Sequence, residues 1–251
     1  MAAVIAVAIA LLLSIFVVRV GTYTVPGGGD RLCVISKLPG AVSLRRGGQC
    51  LVLTPDGRFV LRIAALPGDT VSLRNAALSL GSDNATRDSR DAVASYLLMP
   101  RTPYSTRRQM IASMPRKKPL SVDSLVNVRL SIFARESSPE WKFWTYTHPL
   151  PNFDDPRVYP WNPDFPWNAY HWGPMRLPRK GDVIVLSQRN VSLYGPLVKT
   201  YEDAQLFVAP DRTYTFRRNY YMVLADDRDR LVDSRIYGPL PQDVIFAIAN
   251  F

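Results

Sequence analysis

The sequence predicts a mainly β protein with one N-terminal transmembrane helix and an inserted mixed subdomain. Three observations predict it. Residues 2–18, AAVIAVAIALLLSIFVV, carry no charge, and at about 1.5 Å per residue such a run is just long enough to cross a bilayer core. From Gly29 onward, short apolar runs alternate with Gly, Pro and Asp turn residues, which is the pattern of strands. Over 82–157 the chain turns polar, then basic, then rich in Pro and Trp, and the strand pattern fades. The expected organisation is an anchor at 1–20, a β domain split between 21–81 and 158–251, and a basic, aromatic insertion at 82–157.

The apolar run competes between two readings. A cleavable signal peptide would carry Lys or Arg before the run and a small-x-small site after it. Here nothing basic precedes it, and Arg19, Val20, Gly21, Thr22 and Tyr23 follow. An uncleaved anchor is therefore expected. Arg19 alone argues weakly for a cytoplasmic main domain.

Candidate strands follow at Leu32–Ile35, Cys50–Leu53 and Phe59–Leu66, with a PDG turn at Pro55–Gly57. Val71–Leu73 and Ala76–Leu80 read as a further hairpin. The insertion opens with the polar Ser82–Asp91 and carries Ala92–Arg135, basic and partly helical in its pattern; Trp141–Trp172, which spans its end at 157, is dense in Pro, Trp, Tyr and Asn. Strands resume at Asp182–Leu186, Tyr214–Phe216, Tyr220–Leu224 and Val244–Ile248.

Composition narrows the function classes. With 251 residues, 47% apolar and 11% aromatic, the chain can bury a sizeable core. Its formal charge of +10 favours anionic surfaces. Arg101, Arg107, Arg108, Arg116, Lys117 and Lys118 concentrate that charge, but no recognition helix or finger surrounds them, so nucleic acid is not an expected partner. Anionic lipid is. Cys33 and Cys50 both fall in apolar strand-like runs, so a disulfide and two core thiols remain equally open. Neither a phosphate loop nor a dinucleotide fingerprint is present, and Gly27, Gly28 and Gly29 read as a tight turn. His148 and His171 lie near Asp154, Asp155 and Asp164 without the spacing of a zinc site. Ser187 or Ser192 could complete a Ser/His/Asp triad on paper only, since no nucleophile elbow surrounds them. No metal or cofactor is expected.

The stretch NYYMVLADDRDRLVDSRIYGPLPQD, Asn219–Asp243, organises the rest. An apolar run leads into a loop whose Asp226, Asp227, Arg228, Asp229, Arg230, Asp233 and Arg235 alternate in sign. One reading is a solvated turn laced with weak exposed pairs. The other is that it resembles the C-terminal signature of bacterial signal peptidase I, GDNRxxSxDSRxxGxVP. Asp226, Arg228, Asp233, Ser234, Arg235, Gly238 and Pro241 stand where that pattern wants them. Ala225, Asp227 and Leu231 depart from it. VLRIAALPGDTVSL, Val60–Leu73, resembles a second family motif through Arg62, Pro67, Gly68 and Asp69. GDRLCVISKL, GGQCLVL and the aromatic segment Val158–Asp182 resemble three more, in the family's order.

The resemblance implies a membrane-anchored β domain on the periplasmic side of the inner membrane, and an endopeptidase built on a serine nucleophile and a neutral lysine. This chain departs from the family at each catalytic position. The serine segment is deleted where Pro26 to Asp30 pass through Gly27 and Gly28. Leu61 stands at the lysine position and Leu231 at the orienting hydroxyl. No catalytic residue is therefore assigned. A lysine or hydroxyl buried for catalysis costs stability, so apolar replacements make sense once no chemistry is required. The resemblance thus implies a non-catalytic relative that acts by binding, with membrane lipid, signal peptides or pre-proteins, and a secretion or envelope complex as expected partners. Two alternatives are an active signal peptidase with another nucleophile, and a structural subunit whose partner surface is the insertion.

Overall fold

A computed structural model of the chain describes residues 18–25, 29–36, 44–81, 92–98, 127–132, 144–146, 153–209 and 211–247. Two hairpins come first: β1 (Val18–Val25) with β2 (Gly29–Ser36), then β3 (Gln49–Thr54) with β4 (Gly57–Ala65). A third joins β5 (Thr70–Arg74) to β6 (Ala77–Leu80). β7 (Val93–Leu98), β8 (Asn127–Ser131) and β9 (Trp144–Tyr146) form a separate sheet in the order β8-β7-β9. β10 (Trp172–Arg176) returns to pair with β5. β11 (Val183–Val185) precedes helix α1 (Gln188–Tyr201) and pairs with β12 (Thr213–Thr215). β13 (Tyr220–Leu224), the short helix α2 (Ser234–Tyr237), β14 (Leu240–Pro241) and β15 (Ile245–Ala247) follow. The protein is mainly β, as the turn-punctuated apolar runs predict.

The largest sheet has the order β14-β13-β4-β1-β2, with β3 paired to both β4 and β15. β13 is buried along its whole length, which is why it reads as an unbroken apolar run. Two apolar clusters flank these strands. The smaller contains Cys50, Val52, Leu61, Ile63, Tyr221, Val223, Ala225, Leu240 and Ile245. The larger gathers Val71, Leu73, Leu78, Met175, Phe216 and Tyr220 with one face of α1, Leu193, Tyr194, Leu197 and Val198. Val158, Tyr159, Phe165, Trp167 and Trp172 also belong to it, so much of the aromatic stretch is core.

Several expectations need correction. Within the partly helical-looking Ala92–Arg135, the described residues include two strands, since Val93–Leu97 pairs with Asn127–Ser131, while residues 99–126 and 133–135 lie outside the described residues. The Trp141–Trp172 stretch is poor in regular structure over its described residues, as it reads, apart from β9 and the first residue of β10. Helix α1 has no counterpart in the sequence reading. Ser187 caps it by accepting from Asn190 N, and its apolar face outweighs the hydrogen bond that Pro196 cannot donate. Val18, the end of the apolar run, and Arg19 and Val20, assigned to the anchor, belong to β1. Residues 2–17 of that run lie outside the described residues. Among the described residues no helix is long and apolar enough to cross a membrane.

Candidate functional site

The site begins with the backbone of β4. Its Arg62 is paired on both sides, to Gln49 of β3 and Leu224 of β13. β3 holds one edge of β4 over Gly57–Arg62, so β1, which meets β4 in parallel at Thr24↔Phe59, shares the opposite edge with β13. Between those two contacts on that edge stand Val60 and Leu61. Leu61 is 2% exposed and packs in the smaller cluster. The Cys50 thiol beside it reaches the Leu61 carbonyl at 3.5 Å and is free of any disulfide. Burial pushes that thiol well above its ordinary range, against a smaller opposing effect of Arg62. Cys33 lies in β2 opposite Gly21.

The Asp226–Arg235 loop closes over this edge. Arg62 donates Nε to Asp226 Oδ1 at 2.8 Å and its terminal nitrogen to Oδ2 at 2.7 Å, a fork across 164 residues. The same guanidinium donates to Gly47 O at 2.8 Å. Asp233 and Arg235 are both 0% exposed and form a second fork, 2.9 Å on each arm. Arg235 further donates to the carbonyls of Ala169, Arg228 and Arg230, and Asp233 accepts from Ala225 N. Ser234 Oγ accepts from Val223 N at 3.0 Å, tying α2 to β13. Arg228 is 3% exposed and donates to the carbonyl of Ala225. The loop is therefore not a solvated turn. Asp227, Arg228, Asp233 and Arg235 turn inward, and Arg228, Asp233 and Arg235 hold backbone carbonyls and amides that no helix or strand would satisfy, while Arg230 stays half-exposed.

The start of β7 grips the same loop. Val93 forms a parallel bridge with Asp227, Val93 N donates to Asp226 O, and Arg228 N donates to Val93 O. Ser95 donates its hydroxyl to Asp229 at 2.6 Å. Burial, then the Asp229 carboxylate, push the Tyr170 phenol up.

Pro67, Gly68 and Asp69 lie at a second junction, and Gly238 and Pro241 at separate contacts of their own. In the turn at Pro67–Gly68, Asp69 N donates to Leu66 O, while Asp69 Oδ2 accepts from Leu66 N and from Arg46. Gly68 has φ +89°, and a Cβ there would collide with the guanidinium of Arg179, whose Nε donates to Pro67 O. Gly68 N donates to Leu177 O, and Leu177 N to Asp69 O. Gly238, at φ +77°, ends α2 against the ring of Tyr159, so a side chain would collide. Pro241 pairs with Tyr220 in β14.

The structure thus unites Arg62 with Asp226, and Asp233 with Ser234 and Arg235, whereas Pro67, Gly68 and Asp69 join Leu177 and Arg179. Leu231, half-buried, packs on the larger cluster rather than beside Leu61 in the smaller one. Gly27, Gly28 and His148 lie outside the described residues. His171 is half-buried, with burial lowering its pKa, and its backbone N–H is held by Asn168 Oδ1. Ser187 caps α1, Ser192 accepts from Gln188, and Asp155 forks onto Arg157. No group of three His, Cys, Asp or Glu side chains among the described residues could hold a metal ion.

Sequence reasoning missed Ser95 and Glu202. Glu202 is 3% exposed and accepts from the hydroxyls of Tyr214 and Tyr220 at 2.7 and 2.9 Å and from Arg217 N at 2.9 Å. No sequence motif surrounds either residue. Comparison with known proteins finds no matching family model and no matching curated protein.

Proposed function

We propose that the chain is a signal peptidase I-like membrane protein that acts by binding extended segments of secreted proteins, without cleaving them. The observation that carries this reading is the pairing of a kept scaffold with an apolar centre. The Arg62–Asp226 and Asp233–Arg235 forks hold the loop against β4, while Leu61 fills the position where the resemblance would place a general base. A leucine there can neither accept nor donate a proton. Val60 and Leu61, 4% and 2% exposed, stand on the β4 edge between β1 and β13, and in this reading an extended segment adds as a strand beside that edge. The main domain sits on the periplasmic side of the inner membrane in this reading.

The test uses the full chain reconstituted in vesicles, with an active signal peptidase I as positive control and a pre-protein bearing a small-x-small site. The expected result is no cleavage, together with photo-crosslinking of the signal segment to residues bordering the β4 edge. Cleavage at the expected bond that survives repurification overturns the reading, as does crosslinking no stronger than that of an unrelated extended peptide.

A second reading, a structural subunit of an envelope complex, is favoured by Phe153 and Trp161, which are 60% and 48% exposed. Substituting both with Ser would then release a partner protein without altering binding of signal segments.

A further inference from the structure

The ribbon of β11 and β12 has two unlike faces. Ile184 and Tyr214 pack on the larger cluster, whereas Val183 and Val185 are 59% and 54% exposed. Thr215 and Thr213 stand opposite them in register and are exposed too. Ala209 N donates to Leu186 O at 3.1 Å, which brings the preceding Phe207 and Val208 beside the end of β11. These two are 64% and 51% exposed. Single exposed apolar residues are ordinary, but four large ones grouped on one short ribbon mark a contact surface.

The charge around that surface is one-sided. Residues 176–218 hold eight Lys and Arg against four Asp and Glu, and one of the four, Glu202, is buried. Lys180, Arg189, Arg212 and Arg217 are exposed, and Lys180 and Arg217 line an open groove beside Thr213 and Thr215. Apolar side chains rimmed by cations suit the boundary of an anionic bilayer, where the chains enter the acyl region and the cations meet phosphates. The same chain carries the uncharged residues 2–18, which place a bilayer within reach.

We propose that the β11–β12 ribbon, with Phe207 and Val208, docks on an anionic phospholipid surface. The proposal rests on the anchor read from the uncharged run at the start of the chain and not on the peptidase resemblance. Docking would hold the domain in one orientation rather than leave it free to tumble.

The test uses the full chain in vesicles of phosphatidylglycerol and phosphatidylethanolamine, with doxyl lipid as quencher. An environment-sensitive dye is attached at Val185→Cys, or at Arg58→Cys on the β3–β4 hairpin as reference, each with Cys33→Ser and the buried Cys50 left in place. Flotation of the labelled chain reports its membrane association separately. The expected result is several-fold stronger quenching at position 185 than at 58, weakened by high salt and by Lys180→Gln with Arg217→Gln. Equal quenching at both positions overturns the proposal. So does undiminished quenching at 185 in phosphatidylcholine alone, which would mean apolar contact without charge. Absence of quenching while the chain still floats also overturns it and assigns the ribbon to a soluble partner. A second dye site, Thr213→Cys, keeps the test decisive if the Val185 variant does not fold.

Discussion

Arg62 and Asp226 are joined by two parallel hydrogen bonds of 2.8 and 2.7 Å, linking the middle of β4 to the loop that follows β13. The side chains are 17% and 22% exposed, so the pair is shielded more than a surface ion pair. Asp226→Asn should destabilise the domain by about 2 kcal/mol, and Arg62→Lys by a similar amount, because an ammonium cannot reproduce the fork. Urea denaturation of both variants checks this. Full retention of stability in Arg62→Lys would show that charge alone suffices.

The deeper fork between Asp233 and Arg235 has more at stake. Arg235→Met leaves a fully buried carboxylate without its cation and releases three backbone carbonyls, at a cost of about 3–5 kcal/mol. The expected fall in Tm is roughly 10 °C. Arg230→Met, which removes a half-exposed partner 3.7 Å from Asp227, should cost less than about 1 kcal/mol.

Gly68 and Arg179 should behave as a coupled pair. Gly68→Ala meets a positive φ and a guanidinium in the space of its methyl, and should lose about 1 kcal/mol or more. Arg179→Ala removes the collision but not the backbone strain. The double variant should therefore be less destabilised than the sum of the singles, which a double-mutant cycle measures.

Stability at high pH follows from Tyr214. Burial and the Glu202 hydrogen bond raise its pKa from 10 to about 12, and push that of Tyr220 up as well. The folded state keeps these protons when the unfolded chain has begun to lose them. The stabilising effect is complete below the ordinary phenol value and is lost as pH climbs from there through the folded value. Unfolding measured between pH 9 and about 12 should show a falling stability whose slope is shallower in Tyr214→Phe.

Cys50 should resist thiol reagents in the native protein and react only in denaturant, because its thiol is 0% exposed and its thiolate is disfavoured by burial. Peptide mass mapping after alkylation locates the label. Native labelling of Cys50 would mean that β3 and β4 separate readily.

Much of the β plan was legible because its strands announce themselves by local means. Tyr220–Leu224 is an uninterrupted apolar run and is observed with those bounds. The hairpin at Pro55–Gly57 carries its turn residues with it, whereas Ala76, read as strand, sits in the turn of the next hairpin at φ +69°. Helix α1 was hidden because Gly195 and Pro196 interrupt it, and only packing against the larger cluster reveals its face. The sign-alternating loop named its charged residues without naming their partners. Nothing local says that Asp226 belongs to Arg62, or that Asp227 and Arg228 are buried, since both facts depend on strands far away in the chain. Ser95 and Val93 were invisible for the same reason.

The placement of β13 between β4 and β14 has a consequence for how the chain reaches this fold. As it leaves the ribosome, β4 emerges long before the strand that will cover its neighbouring edge. That edge stays bare until residues 220–224 have been made, and the insertion must find the loop at 226–229 later still. Folding is therefore largely post-translational, slow for its size, and exposed to strand-mediated aggregation during that interval.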